Sequence, residues 1–401
     1  MAKAGGQLGG IFIVAGTCIG GGVIALPMML ASVGLVFTTL IMAVMWATMY
    51  YSALINLELN LQANCGMDIG NLGWRFSGPI AAWFGRLILL LLMYALMAAY
   101  FYGLSALLVE IFHLPLQNHW SIVTIVAAIF CALMVLPVRG LDSVNKPLFI
   151  GTLVIAAFLL IGLSRHVLWD GALLFPPAAA KPRHWIAVVP VLFTSFGFQV
   201  IFHTLSNYYK LDKHVLRRVF FWGSLIPAVV YIAWTVAALL AIHGNNPPFY
   251  REMVLGHVDV GALVAELSRI TANSAIRTVI WAVSVLAIVT SMVGVGLGLC
   301  DTLKAYLPGK FHLVHHRAFA AVVGTVPPWI LALLVPSAFT VILGAAGVIL
   351  AVLAILLPLY LVRHGKFTTL NYPSVGNPIA HFAIFVAAVV VISCELAHAH
   401  F

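Results

Sequence analysis

Long runs without a single Asp, Glu, Lys or Arg dominate this chain. They cover residues 4–57, 87–109, 111–138, 147–164, 184–209, 219–250, 278–300, 318–362 and 367–394. A helix crosses the hydrocarbon of a bilayer in about 20 residues. Seven of these runs therefore hold one span each. The two longest, 4–57 and 318–362, hold two each, broken near residues 32–34 and near Pro336 and Ser337. The pattern predicts an all-α membrane protein with about 11 transmembrane helices. They lie near 9–31, 35–60, 80–111, 120–137, 147–164, 186–208, 218–242, 276–303, 318–335, 338–361 and 379–398. The first run is longer than the apolar part of a cleaved leader, about 7–15 residues, and a second span follows at once. It is expected to remain as a span of a complete, membrane-inserted chain.

Two connections are longer than turns. Residues 62–79 read as an interfacial piece on the cytoplasmic side. Residues 244–275 carry Val260, Leu263, Val264, Leu267 and Ile270 at helical spacing, which predicts an external amphipathic helix lying on the protein. No stretch reads as a soluble domain, so residues 1–401 form one transmembrane domain.

Composition agrees with the pattern. The chain is 63% hydrophobic and 8% charged, against about a quarter charged in soluble domains. The net charge of +9 does not indicate nucleic acid, because the basic residues are scattered over short loops and form no stripe. They report orientation instead. With the N-terminus inside and eleven alternating spans, Lys3, Arg75, Arg86, Arg139, Lys146, Lys210, Lys213, Arg217, Arg218, Lys304, Lys310, Arg317, Arg363 and Lys366 lie inside. Arg165, Lys181, Arg183, Arg251, Arg269 and Arg277 lie outside. The balance predicts a cytoplasmic N-terminus and an external C-terminus in a bacterial inner membrane. The five cysteines show no metal or redox spacing, and no cofactor is expected.

Two spans break the rules of a plain membrane helix. The first carries Gly16, Thr17, Cys18, Ile19, Gly20, Gly21 and Gly22 at its middle, then Pro27. The sixth carries Thr194, Ser195, Phe196, Gly197 and Phe198, with Pro190 before and Gln199 and His203 after. Each glycine costs about 1 kcal/mol of helix stability against alanine, and backbone freed inside lipid must find a partner. The Gly16-x-x-x-Gly20 spacing also fits close helix packing. The second break, five spans later, tips the reading toward a binding site. An odd offset inserts the two halves with opposite topology, and paired interruptions in inverted halves point to a transporter site. No strong residue-level repeat links the halves.

These residues resemble the hydroxy/aromatic amino acid permeases, and within them the tyrosine-specific branch. The first span matches G-T-x-I-G-x-G followed by Pro27. The third matches L-M-Y-A-L-x-A-A-Y from Leu92 to Tyr100, and the sixth matches F-T-S-F-G-F from Phe193 to Phe198. The eighth matches A-x-x-T-S-x-x-G-V-x-L-G-L-x-D from Ala287 to Asp301. The tenth has A-G-V-x-L-A-V-L-A from Ala346 to Ala354. The resemblance covers nearly the whole chain. It implies the LeuT-like fold of the APC superfamily, with inverted repeats near 9–164 and 186–361 and an extra helix near 379–398. It also implies ion-coupled uptake of an aromatic amino acid. One departure stands out: Gln199 and Val200 replace the usual His-Gly after F-G-F, and His203 stands where proline is common.

A free amino acid is a zwitterion, and unwound helix ends can hold both its charges. The N–H groups of Gly20, Gly21 and Gly22 are candidates for the carboxylate. Carbonyls of Ala15, Gly16, Thr17, Thr194, Ser195 and Phe196 are candidates for the ammonium, with help from the Thr17 and Ser195 hydroxyls. Tyr94, Ala98, Phe196 and Phe198 are candidates for an aromatic pocket, and Gln199 stands beside it. Uphill transport needs a driving ion. One charge crossing ~100 mV yields ~2.3 kcal/mol, which allows roughly fiftyfold accumulation. The resemblance favours a proton. Candidate carriers are Glu58 and Asp301, and after them Glu110, since intramembrane carboxylates are expensive; all three lie near span ends, where interfacial hydration removes that cost. His203 is another, for its titration near neutrality. Thr290 and Ser291, with carbonyls of residues 15–18, offer a sodium site as the second choice.

Other classes fit poorly. A membrane-embedded enzyme needs a catalytic set, and neither His-Glu-x-x-His, nor G-x-S-x-G, nor paired acidic residues occur in the spans. A channel is usually a ring of symmetric subunits around a filter.

Overall fold

The computed structural model describes residues 4–115, 119–135, 151, 157, 160–271, 274–306, 313–335, 338–365, 367 and 369–398. Among the described residues every regular element is helical. In lipid a helix satisfies its own backbone, so apolar runs of this length have no other stable form.

The chain opens with α1 (Ala4–Cys18) and α2 (Gly21–Leu30), then α3 (Leu35–Ala63), α4 (Ile69–Phe76), α5 (Pro79–Ile111) and α6 (His119–Val135). After the fifth predicted span come α7 (Pro182–Ser195), α8 (Phe202–Tyr208), α9 (Lys213–Asn245), α10 (Pro247–Leu255) and α11 (Val260–Ile270). The last elements are α12 (Ser274–Tyr306), α13 (Leu313–Leu334), α14 (Ala338–Ala351), α15 (Leu357–His364) and α16 (Pro378–His398).

Among the described residues seven stretches are long and apolar enough to cross a membrane: Leu35–Ala63, Pro79–Ile111, His184–Tyr208, Lys213–Asn245, Arg277–Cys300, Phe339–His364 and Pro378–His398. The pair α1 and α2, bent by 50° at its break, makes an eighth. Shorter apolar helices, His119–Val135 and Ala318–Leu334, stand where spans four and nine were expected. Span five, 147–164, lies outside the described residues except for 151, 157 and 160–164.

Polar residues between the spans start the next helix. Asp68 Oδ1 accepts from Asn71 N at 2.9 Å ahead of α4. Asp212 accepts from His214 N and Val215 N at 3.0 and 3.1 Å ahead of α9, and Asp259 from Ala262 N at 2.7 Å ahead of α11. Each supplies an acceptor to N–H groups that a helix start leaves free. The turn between α2 and α3 rests on Gly34, whose φ of 86° suits a residue without Cβ. The 62–79 connection holds α4. The 244–275 connection holds two helices where one was expected. In α11 the predicted residues Val260, Leu263, Val264, Leu267 and Ile270 are all buried, against a core that includes α5.

Helix α5 stands at the centre and packs against α4, α6, α11, α12, α13 and α14. Helix α7 packs against α2, α14 and α16. The stretch Phe339–His364 contains a π-helical turn, Val352–Leu356. The Ala354 carbonyl within it accepts from Ser52 Oγ at 2.6 Å and Asn56 Nδ2 at 3.4 Å. Two side chains of α3 thus serve a carbonyl in a turn whose regular ladder is interrupted.

Candidate substrate site at two broken helices

In the first span α1 ends at Cys18 and α2 begins at Gly21. Between them Ile19 N donates to Ala15 O and Gly20 N to Cys18 O, both at 2.8 Å. In the sixth span α7 ends at Ser195. Phe196 N donates to Phe193 O at 3.2 Å and Gly197 N to Thr194 O at 2.9 Å, and a single 3-10 turn, Gln199–Ile201, leads into α8.

The two breaks meet. A Cβ on Gly22 would stand 2.5 Å from Ser195 Oγ and 3.2 Å from Ser195 Cα. The Cys18 thiol points at Phe196 O, 3.9 Å away. The Tyr231 hydroxyl, from α9, reaches Cys18 O at 2.5 Å and Ser195 O at 2.9 Å, and its ring packs edge-on to Phe196 with centroids 5.4 Å apart. On the α12 side Ser291 Oγ lies 3.4 Å from Ile19 O and hydrogen-bonds Tyr100. A Cβ on Gly20 would stand 2.5 Å from that Ser291 oxygen. The glycines therefore let three helices come within contact of bare main chain.

A small cavity opens beside this junction. Its polar side is made by Thr17, Cys18, Gly22, Thr194, Ser195 and Gln199. Its apolar side is made by Leu92 and Leu96 of α5, Val295 of α12, and Leu343 and Leu350 of α14, with Tyr100 between the two sides. A second small cavity lies toward α4. It shares Gln199 and Val200 with the first and adds Asn56, Asn60, Asp68 and His203. The 3-10 turn after the second break is thus the wall between the two cavities.

Residues 3–395 match the tryptophan/tyrosine permease family. The chain belongs to that family. The permease is 29% identical over 366 residues to tyrosine-specific transport system 1 of Haemophilus influenzae, covering 91% of this chain and 90% of that protein. It is 30% identical over 390 residues to tyrosine-specific transport system 2 of the same organism, covering 95% and 93%. It is 27% identical over 373 residues to the tryptophan-specific transport protein of Pseudomonas aeruginosa, covering 90% and 86%. The protein is a multi-pass membrane transporter and not an enzyme.

Of the residues singled out in the sequence of this permease, Thr17, Gly22, Thr194, Ser195 and Gln199 line the first cavity. Gly20 packs behind it against Ser291. Ala15 is fully buried, and Gly16 and Gly21 flank the first break. Tyr94 is placed elsewhere: its hydroxyl donates to Val323 O of α13 at 3.0 Å. Ala98 is fully buried on the same side of α5. Phe196 is buried against Tyr231, and Phe198 is buried beside Phe202 and Phe220. The wall of the cavity is instead the stripe Leu92, Leu96 and Tyr100. Tyr94 and Ala98 stand two residues on from Leu92 and Leu96, about 200° around the helix. Tyr231 carried no motif signal, since a tyrosine in a membrane helix is usually a packing or interface residue. Cys18, one of five cysteines without metal or redox spacing, lies at the site.

The ion candidates separate. Glu58 is fully buried and accepts from Gln62 Nε2 at 2.7 Å, Asn371 N at 3.0 Å, Asn371 Nδ2 at 3.2 Å and Tyr372 N at 3.0 Å. It anchors the segment that leads into α16. Glu110, at the end of α5, packs against Gly261 of α11. His203 lines the second cavity, with Nε2 3.3 Å from Thr204 Oγ1. Thr290 and Ser291 are buried next to the first break, Thr290 Oγ1 donating to Ala287 O at 3.3 Å. The Asp301 side chain lies outside the described residues. Among the described residues no cluster of His, Cys, Asp or Glu has the geometry of a metal site. Sequence reading passed over Glu395 of α16, which sits just past the last charge-free run and lies against Gly344 of α14.

Proposed function

We propose that this permease carries an aromatic amino acid, tyrosine first, into the cytoplasm by symport with a proton. The observation that carries the reading is the convergence of two helix C-termini, α1 at Cys18 and α7 at Ser195, on one point beside a half-apolar cavity. A helix C-terminus bears partial negative charge and an N-terminus partial positive charge. The two C-termini attract the substrate ammonium. The first N–H groups of α2, at Gly21 and Gly22, receive its carboxylate. Gly20 N–H is already given to Cys18 O. The leucine and valine wall with Tyr100 accepts an aromatic side chain. The tyrosine-specific names of two relatives support the choice of substrate.

The scaffold of this reading is eleven spans with the N-terminus cytoplasmic, arranged as a LeuT-like inverted repeat, 9–164 against 186–361, plus the extra helix 379–398. The helix breaks at Cys18 and Ser195, five predicted spans apart, support it. Proton coupling draws on His203 and Asp301, with Glu58 reassigned from coupling to anchoring by its four hydrogen bonds. Sodium is the second reading, favoured by the Ser291 hydroxyl 3.4 Å from the Ile19 carbonyl with Thr290 beside it.

Purified protein in liposomes tests both. Labelled tyrosine is expected to accumulate when an inward proton gradient is imposed and to stay at background with a sodium gradient alone. Sodium-driven uptake without proton-driven uptake overturns the coupling. Absence of trans-stimulated exchange in either condition overturns the carrier mechanism itself, since a channel shows none.

A further inference from the structure

The carbonyl ends of both broken helices are held by one hydroxyl. Tyr231 is fully buried within α9 and does not line the cavity, whereas Cys18 and Ser195 do. Its oxygen lies 2.5 Å from Cys18 O and 2.9 Å from Ser195 O. A phenol has one proton to donate. Gly20 N–H takes one lone pair of Cys18 O at 2.8 Å, and the phenol proton serves one carbonyl at a time, so two of the four lone-pair directions on the two carbonyls are always left over.

The two carbonyls are also alike in charge. Each ends a half-helix whose aligned peptide dipoles place roughly half a negative charge there. Brought together in a low-dielectric interior, such ends repel one another. The Tyr231 proton, placed between them, is the group seen in the structure that bridges them. The ring is fixed by its edge-on contact with Phe196, which follows Ser195 directly, so the oxygen is aimed and does not swing.

We infer that Tyr231 is a positioning residue for the substrate amino group: it presets the spacing of the Cys18 and Ser195 carbonyls and leaves their spare lone pairs to the ammonium. This rests on the proposed transport of an amino acid at the same site. Preset acceptors spare the substrate the cost of gathering them, so affinity is gained before any new contact is made. The effect is expected to be largest for compounds that carry an amino group, because the Tyr231 hydroxyl touches the Cys18 and Ser195 carbonyls and does not itself line the cavity.

The test compares L-tyrosine with its des-amino analogue, hydroxyphenylpropionate, as competitors of labelled tyrosine uptake in liposomes. The wild-type protein is expected to prefer the amine-bearing compound strongly. In Tyr231→Phe, which keeps the ring and loses the oxygen, that preference is expected to fall at least tenfold, with KM rising and kcat held within about twofold. That is the scale of one charge-assisted hydrogen bond. Phe196→Leu, which loosens the ring and keeps the hydroxyl, is expected to lose part of the preference, but less than Tyr231→Phe. An unchanged preference in Tyr231→Phe, or equal weakening of both compounds, overturns the inference and assigns Tyr231 to packing alone. Tyr231→Leu serves as the reserve variant, with the same expected and overturning results, should the phenylalanine variant not reach the membrane. If the wild-type protein takes up no tyrosine, the proposed substrate fails, and the inference is then judged on the amino acid that is transported and its des-amino analogue.

Discussion

Gly22 lies face to face with Ser195 across the two broken helices, close enough that a methyl group on Gly22 would stand 3.2 Å from the Ser195 Cα as well as 2.5 Å from its hydroxyl. A side chain can turn away from such a contact, but backbone cannot. Gly22→Ala therefore forces α2 and α7 apart at the point where the proposed ammonium and carboxylate sites meet. Overpacking of this kind costs about 1–3 kcal/mol. Uptake is expected to fall at least about tenfold while the amount of protein in the membrane stays near wild type. Uptake assays normalised to membrane content check it, and normal uptake removes close approach at Gly22 from the mechanism.

Glu58 reads as an anchor in the structure. It receives four hydrogen bonds, two of them from the backbone N–H groups of Asn371 and Tyr372, and so ties α3 to the start of the last span. Leaving buried donors unpaired costs about 1–3 kcal/mol each. Glu58→Ala is expected to lose stability on that scale. Glu58→Gln is expected to lose part of it, because its amide presents N–H to N–H. Both lower the Tm in detergent. Proton-driven uptake by the folded fraction of Glu58→Gln is expected to stay within about threefold of wild type. Loss of proton drive with an unchanged Tm would return Glu58 to the coupling machinery.

The membrane class and the two breaks were legible in the sequence because lipid leaves so few choices. Uncharged runs of twenty residues become helices, and glycine triplets interrupt them. The break at residues 16–22 appears as the gap between Cys18 and Gly21, and the one at residues 194–198 as the end of α7 at Ser195. What the sequence hid was rotation. Tyr94 and Tyr100 lie in one motif, but only Tyr100 faces the cavity, and nothing in a uniformly apolar helix marks which side is inward. Tyr231 was hidden for a related reason: its role depends on two carbonyls, and carbonyls carry no sequence identity.

On the outer helix α11 the Arg269 guanidinium donates to both oxygens of Glu266 at 2.6 and 2.8 Å. Those bonds, working against desolvation and joined by the Asn246 amide, hold the Glu266 carboxyl below the usual carboxylate range. A group whose folded pKa is depressed adds stability above its unfolded pKa, about 4.3, and that stability is lost as pH falls through the folded value. The wild-type Tm is therefore expected to exceed that of Glu266→Gln at pH 7, with the gap closing below about pH 4. A gap that widens on acidification contradicts this sign.

Gln199 stands in the wall between the two cavities. Its Oε1 accepts from Phe198 N at 2.9 Å, and its Nε2 points at Met49 Sδ, 3.7 Å away. The side chain thus folds back on the main chain and fills the gap beside α3. Removing it joins the cavity that holds Cys18 to the one lined by Asn60, Asp68 and His203, which opens toward the cytoplasm in the orientation proposed here. Cys18 itself is buried, 4% exposed, so its reactivity reports access. With Cys65, Cys131, Cys300 and Cys394 replaced by serine, Gln199→Ala is expected to raise the rate of Cys18 modification by a water-soluble thiol reagent at least about tenfold in inside-out vesicles. Little change is expected in right-side-out vesicles. Saturating tyrosine is expected to slow the reaction, because the thiol shares the cavity with the substrate. Equal rates from both sides would mean that Gln199 is not the inner barrier.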